Sequence, residues 1–258
     1  YRRLDIGTGK DKLVPQHLID VADWGQQFSV AHYRDMARSI IEQIYDRGHI
    51  PLIVGGTGYY IESLIYDRVT NNTPPNAALR AELESLSNAE ILDQIDDVDP
   101  ATASSIDNKN RARLIRALEI IRLTNAPRKA IKSVLRTDAD VNVFVLDVPR
   151  LELYQRIDER VDARLAAGMI EEVWGLLNSG VSSDWLVSLG LEYRFITQYL
   201  MSKNQSRGEY DEMVTRLKFA IHTYARRQLT FFRRWPFALW CTEEQIQAKI
   251  NQALRGQK

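Results

Sequence analysis

The sequence holds a single cysteine, Cys241, in 258 residues, so no disulfide can form within the chain. That excludes a disulfide-stapled secreted scaffold and fits a reducing compartment. No apolar run approaches the ~18 residues of a membrane span, and no signal-peptide pattern opens the chain, so the expected location is the cytoplasm, with no membrane partner. Charge of one sign is missing too: 34 Lys and Arg balance 34 Asp and Glu. Affinity for a polyanion must then come from local clustering. The four histidines, His17, His32, His49 and His222, are scattered without metal-ligand or triad spacing, and Cys241 reads as a small buried hydrophobe. A GxxxxGK(S/T) phosphate loop is absent, since Gly7-Thr8-Gly9-Lys10 shares only its ending and no strand precedes it. The chain opens on Tyr1 and not on methionine, as a processed protein or a fragment does. What remains is 45% hydrophobic and 26% charged, a globular composition at a length between one large and two ordinary domains.

One stretch organises the rest: Ile50-Pro51-Leu52-Ile53-Val54-Gly55-Gly56-Thr57-Gly58-Tyr59-Tyr60. Its apolar run suits a strand buried on both faces of a parallel sheet. The glycines permit a tight turn or close approach of a ligand, and Tyr60–Ile65 reads as the helix that follows, so an anion would find free N–H groups there. Thr57 would set a hydroxyl at the mouth of that turn. A plain tight turn with Thr57 as helix cap fits the same residues.

Along the chain, Leu18–Val21 reads as a short strand and Asp23–Gln27 as a turn. Ser29 caps a helix from Val30 to about Arg47 that Gly48 ends. Strand, helix, strand, helix argues for a parallel α/β sheet. Asn71-Asn72-Thr73-Pro74-Pro75 is a linker by its turn residues. From Asn76 to about Arg136 the period is helical, with no strand signal. Val141–Val148 returns to strand character. Leu151–Ala167, Ile170–Leu177, Gly190–Leu200 and Tyr210–Arg234 are helices, Ala238–Trp240 is a short strand, and Glu243–Leu254 is a tail helix.

Three basic constellations stand out. Arg156, Arg160 and Arg164 lie at i, i+4 and i+8 on one helical stripe, which calls for an anion or for the solvated salt bridges that nearby Glu152, Asp158, Glu159 and Asp162 offer. Arg111, Arg113 and Arg116 form a smaller patch. In Tyr224-Ala225-Arg226-Arg227-Gln228-Leu229-Thr230-Phe231-Phe232-Arg233-Arg234, arginines interleave with aromatics, as suits phosphate contacts with base stacking. The alternative is a helix with Leu229 and Phe232 in the core and arginines solvating the other side.

Asp5-Ile6-Gly7-Thr8-Gly9-Lys10, His17-Leu18-Ile19-Asp20, Val54–Tyr60, Arg113–Glu119 and Arg226-Arg227-Gln228-Leu229-Thr230, in that order, resemble the bacterial tRNA dimethylallyltransferases. That family moves a dimethylallyl group from dimethylallyl diphosphate onto N6 of the adenosine next to the anticodon. The resemblance runs from Tyr1 to about Trp240. It implies an α/β fold with a P-loop-NTPase-like parallel sheet core, whose first part is 1–72 and second part 137–258, and an all-helical insertion domain at 73–136. It also implies a monomer with magnesium (Mg2+) as cofactor and two partners, dimethylallyl diphosphate and the tRNA anticodon stem-loop. Thr57 looks like the threonine facing the reacting adenine. Arg160, with Gly55 and Gly56, looks like the diphosphate-holding set. Arg80, Arg113 and Arg116 look like tRNA contacts of the insertion. Arg227, Gln228, Thr230 and Arg233 look like the RNA-contacting helix.

Two strings depart from the family pattern. Gly190-Leu191-Glu192-Tyr193-Arg194 stands where Gly-Tyr-Arg-Glu is usual near the RNA, which places Tyr193 and Arg194 there, and Asp107-Asn108-Lys109-Asn110 replaces His-Pro-Asn-Asp. The family's P-loop and the aspartate proposed as base fall upstream of the tyrosine matching Tyr1, so a form without them is expected to be inactive. Two alternatives stay open: a non-catalytic RNA-binding remnant, and a prenyltransferase of the same superfamily acting on a free adenine nucleotide.

Overall fold

In the computed structural model, Ser29 accepts a hydrogen bond from the His32 backbone N–H and starts α1 (Val30–Asp46). Its Tyr33 ring stacks on Tyr60 of α2 (Gly58–Ile65), with ring centroids 4.8 Å apart. The structure describes residues 1–10, 15–26, 28–68, 73–127, 133–135 and 141–255. They belong to two units, Tyr1–Ile65 with Thr137–Lys258, and Tyr66–Arg136.

In the Tyr66–Arg136 unit, β1 (Tyr66–Arg68) leads to α3 (Ala77–Leu83), α4 (Asn88–Asp96), α5 (Pro100–Ser105) and α6 (Arg111–Thr124), and β2 (Ser133–Leu135) returns antiparallel to β1. Each helix has a side-chain cap: Asn76, Ser87, Asp99 and Asn110 each accept from the backbone N–H three residues on. Ser87 and Glu90 complete a capping box. Such caps contribute about 1 kcal/mol each. The helices close over Leu83, Ile91, Ile95, Leu114 and Leu118.

The larger unit continues with β3 (Phe144–Leu146), α7 (Arg150–Ala166), α8 (Met169–Asn178), α9 (Ser183–Leu189), α10 (Leu191–Leu200), α11 (Arg207–Phe232), β4 (Leu239–Cys241) and α12 (Glu243–Arg255). Strands β3 and β4 pair in parallel, Val145 opposite Trp240. Met213, Leu217, Ile221 and Ala225, four residues apart, are the buried stripe of α11. Three of them pack with Ile157 and Val161 of α7. Polar links flank that seam: Lys218 pairs with Asp162 at 2.7 Å and His222 with Asp158 at 2.8 Å, while Tyr154 stacks on His222. A second core joins Leu4, Met169, Val173, Leu186 and Ile196. Among the described residues no helix is long and apolar enough to cross a membrane.

The fold is mixed α/β but mostly helical, and four expectations need correction. Ile50–Val54 is not a buried strand: it forms no ladder among the described residues, and Leu52 and Val54 are 68% and 85% exposed. A strand is stable in a sheet interior only when neighbours take its N–H and C=O groups, and none of the described strands does so. Leu18–Val21 is a series of bends, with φ of 62° at Leu18 and 58° at Asp20. Left-handed backbone at alternate residues is incompatible with a pleated ladder. The parallel sheet is therefore limited, among the described residues, to β3 and β4. Residues 76–136 are not helical throughout, because Ser133–Leu135 pairs with β1. Helix α9 was not anticipated: seven residues are too few to show a period, although Ser182 caps it by accepting from Trp185 N–H.

Candidate functional site

Thr57 ends the glycine turn where α2 begins. Its carbonyl accepts from the N–H groups of Tyr60 and Ile61, which closes the first helical turn. Its exposed hydroxyl stands 3.4 Å from the Tyr224 hydroxyl on α11. One turn further along α11, Gln228 Nε2 donates to the Gly56 carbonyl at 2.8 Å. Gly58 is required by close approach, since a Cβ there would lie 2.3 Å from the Phe231 ring, whereas a Cβ on Gly56 would lie 2.1 Å from Gln228 Nε2 and displace that amide. Gly55, exposed, has open space around its Cβ position. The structure thus brings Gly56, Thr57 and Gln228 together.

The outer side of α11 is basic. Arg226, Arg227 and, just past the helix, Arg233 are exposed. Arg227 lies 6.0 Å from the Tyr224 ring centre and Arg233 5.7 Å from that of Trp240, cation–π distances that leave the guanidinium N–H groups usable. Thr230 is exposed, and its hydroxyl donates to the Arg226 carbonyl one turn back along the helix.

On α7 the arginine stripe resolves unequally. Arg156 pairs with Glu152 at 2.6 Å and Arg164 with the buried Glu192. Arg160, between them and exposed, has no hydrogen bond or ion pair among the described residues. Tyr193 is buried and donates its hydroxyl to Glu172 at 2.9 Å. Burial, reinforced by the Glu172 carboxylate, pushes its phenol well above the usual range. Glu172 also accepts from the backbone N–H groups of Asp5 and Ile6, at 3.0 and 2.7 Å, and so fixes the Asp5–Lys10 loop. Arg194 is exposed and donates to the Val187 carbonyl.

In the other unit, Arg80 and Arg116 converge on one fully buried carboxylate. Arg80 donates to Glu119 through Nε and Nη2 at 2.9 and 3.0 Å, and Arg116 through Nη1 at 2.5 Å. Burial by itself would raise the Glu119 carboxyl, but the two guanidiniums and the Asn76 N–H hold it down at about 2. Arg116 also donates to the Thr73 carbonyl. Arg113 is exposed, with its backbone N–H capped by Asn110.

No group of three or more His, Cys, Asp or Glu among the described residues is arranged to hold a metal. Cys241 is a buried free thiol. Sequence reasoning left Tyr224, Glu119 and Glu172 without roles. Tyr224 had a usable signal, its i, i+4 spacing from Gln228. Glu119 had only its i, i+3 spacing from Arg116, and Glu172 had none, because their other partners lie up to 43 and 167 residues away.

A family model described as IPP transferase matches residues 1–235. A tRNA dimethylallyltransferase of Roseiflexus castenholzii is 39% identical over 245 residues, 92% of this chain and 79% of that protein. A tRNA dimethylallyltransferase 1 of Trichlorobacter lovleyi is 37% identical over 268 residues, 98% of this chain and 85% of that one. Among solved structures, the full-length tRNA isopentenylpyrophosphate transferase of Bacillus halodurans is similar with a TM-score of 0.67 and 32% identity, covering 100% of this chain and 84% of that one. A eukaryotic dimethylallyltransferase crystallised acting on tRNA shares the fold, with a TM-score of 0.74 at 23% identity over 93% of this chain and 64% of its own.

Proposed function

The chain belongs to the IPP transferase family, and from that premise we propose that it transfers a dimethylallyl group from dimethylallyl diphosphate to N6 of the adenosine adjacent to the anticodon in tRNA. One observation carries the reading: the Gly56–Thr57 turn is held against α11, whose other face presents exposed arginines. The Thr57 hydroxyl and the face read as RNA-binding then meet at one helix, α11.

In this reading the N6 amine attacks the allylic carbon, the carbon–oxygen bond to diphosphate breaks, and N6 loses a proton. A purine amine is a weak nucleophile, so alignment and proton acceptance matter most. Thr57 faces the reacting adenine, which must leave its stack to reach it. Gly55 and Gly56 let the backbone approach the diphosphate, and Arg160, without a hydrogen bond or ion pair among the described residues, neutralises it as it leaves. Arg113, Arg194, Arg227, Gln228, Thr230 and Arg233 belong to tRNA recognition. Arg80 and Arg116 keep only the N–H groups that Glu119 and Thr73 do not take, and Tyr193 serves from beneath the surface. Magnesium belongs to the reading as a companion of the diphosphate. The core and the Tyr66–Arg136 unit are read as a P-loop-NTPase-like sheet core and its insertion, in a cytoplasmic monomer.

The test is transfer of labelled dimethylallyl, with an anticodon stem-loop and a free adenine nucleotide competing as acceptors. Label on the reactive adenosine of the RNA is the expected result. Label on the nucleotide alone would assign the chain to the free-nucleotide prenyltransferases, and RNA binding without label would make it a binding protein.

A further inference from the structure

Residues 50–56 make no backbone–backbone hydrogen bond among the described residues, yet the turn they lead into carries Thr57. Among the described residues, α11 and the segment after it supply side-chain anchors to this turn and to α2, beside the Tyr33–Tyr60 stack from α1. Gln228 holds the Gly56 carbonyl at 2.8 Å, and Tyr224 meets the Thr57 hydroxyl at 3.4 Å. Past the turn, Trp235 donates to Glu62 of α2 at 3.0 Å. Tyr224, Gln228 and Phe231 lie at i, i+4 and i+7, one face of the helix. Arg226 and Arg233 lie away from that face and are exposed, and Arg227, exposed too, borders it with its guanidinium 6.0 Å from the Tyr224 ring centre.

Resting on the proposed function, we infer that Tyr224 and Gln228 are positioning residues: they fix the Thr57 hydroxyl to α11, so that an RNA seated on the basic side of that helix is set in register with the group that meets its reacting base. Gln228 supplies what the turn lacks. A carbonyl with no ladder partner is otherwise free to rotate, and a single amide donor determines which way the Gly56–Thr57 peptide faces. Tyr224 then selects the direction of the Thr57 hydroxyl, since each of the two oxygens can donate or accept. Gly56 is part of the same device. A methyl group there meets the far end of the Gln228 side chain, so Gly56→Ala displaces the amide and breaks the link from the other side.

The test uses Tyr224→Phe and Gln228→Met, which remove a hydroxyl and an amide with little change of volume and none of charge, beside Thr57→Ala. Three quantities are read: amide hydrogen exchange at residues 56–58, the single-turnover rate of dimethylallyl transfer to an anticodon stem-loop, and the dissociation constant of that stem-loop. One lost hydrogen bond is worth up to about tenfold. Both variants should therefore exchange faster and transfer more slowly by up to about that factor, with the dissociation constant unchanged in Tyr224→Phe, the variant that alters no residue assigned to tRNA recognition. In the Thr57→Ala background, Tyr224→Phe should cost nothing more, because it acts through Thr57. Gly56→Ala and Gln228→Met should likewise fail to add. Exchange and transfer at the unaltered rates in Tyr224→Phe and Gln228→Met, with Thr57→Ala slow, overturn the inference, and so does additivity in either pair. A Thr57→Ala chain that transfers at the full rate, or an unaltered chain that transfers nothing, counts against the proposed function instead. Exchange at residues 56–58 then decides the positioning role alone: faster exchange supports it and unchanged exchange overturns it.

Discussion

Arg80 and Arg116 in the Tyr66–Arg136 unit and Arg160, Arg227 and Arg233 in the other unit carry the same charge, yet their side chains answer to different partners. The first two surround a carboxylate with no exposed surface. The other three are exposed, two beside aromatic rings and one without a hydrogen bond or ion pair among the described residues. A guanidinium already bound to a buried anion has most of its N–H groups taken, and removing its partner leaves uncompensated charge. An exposed guanidinium keeps its donors for a phosphate and has little to do with folding. The same residue type can thus be structural in one unit and available to ligand in the other.

The largest effect should come from breaking the structural set. Glu119→Gln keeps the shape and removes the charge that two guanidiniums face, which costs about 3–5 kcal/mol when a buried pair is broken on one side. All five tryptophans lie outside Tyr66–Arg136. Amide exchange in α6 should therefore report the loss while the tryptophan-detected unfolding midpoint of the other unit stays put. A loss under about 1 kcal/mol, the worth of a surface pair, would erase the contrast.

Acid tests the same carboxylate without mutation. Its folded value of about 2 lies below the ordinary 4.5, so the unfolded chain takes up the proton first. The stabilisation is complete above about pH 4.5 and is lost as pH falls through about 2. That shift corresponds to roughly 3 kcal/mol. Protection in α6 should fall through this window in the unaltered chain and stay level there in Glu119→Gln; equal slopes would remove Glu119 from the explanation.

How much of this was legible follows from the range of each interaction. The helices of α1, α7 and α11 could be read because their buried stripes and the Ser29 cap are written within a few residues. Strand Val141–Val148 was found, shortened to Phe144–Leu146, because its alternation is local too. Ile50–Val54 misled because apolar, β-branched composition states only what a strand would bury, whereas a ladder depends on a partner elsewhere. The arginines were legible as positions and illegible as occupations. Nothing near Arg80 announces Glu119, 39 residues on, and Arg160 looks like Arg156 and Arg164 until Glu152 and Glu192 are seen to take those two.

Among the exposed set, Arg160→Ala should show the greatest change. A charge-assisted contact to diphosphate contributes about 1.5–3 kcal/mol, so the KM for dimethylallyl diphosphate should rise about 10- to 100-fold. Unfolding and stem-loop affinity should not move, since Arg160 has no internal partner among the described residues to lose. Equal losses in diphosphate use and RNA binding would return Arg160 to the general basic surface.

The smallest effect is also the sharpest probe of what the exposed arginines face. Arg227→Ala and Arg233→Ala remove guanidiniums that no carboxylate holds among the described residues, so stability should change by no more than about 0.5 kcal/mol, the usual range for surface substitutions. If each touches one phosphate of single-stranded RNA, its loss removes one released counterion. The slope of log affinity against log salt should then flatten by about 0.7 per variant, whatever the loss of affinity at any single salt concentration. Arg80→Ala supplies the control from the structural set. Its guanidinium is bound to Glu119, so it should weaken its own unit while leaving the salt slope steeper than in either α11 variant. A slope that flattens equally for Arg80→Ala would show that a guanidinium bound to a buried carboxylate still meets phosphate, and the division between the two sets would fail. An unchanged slope for Arg227→Ala and Arg233→Ala, with their stability intact, would leave them as solvating charges on a helix whose function lies wholly on its inner face.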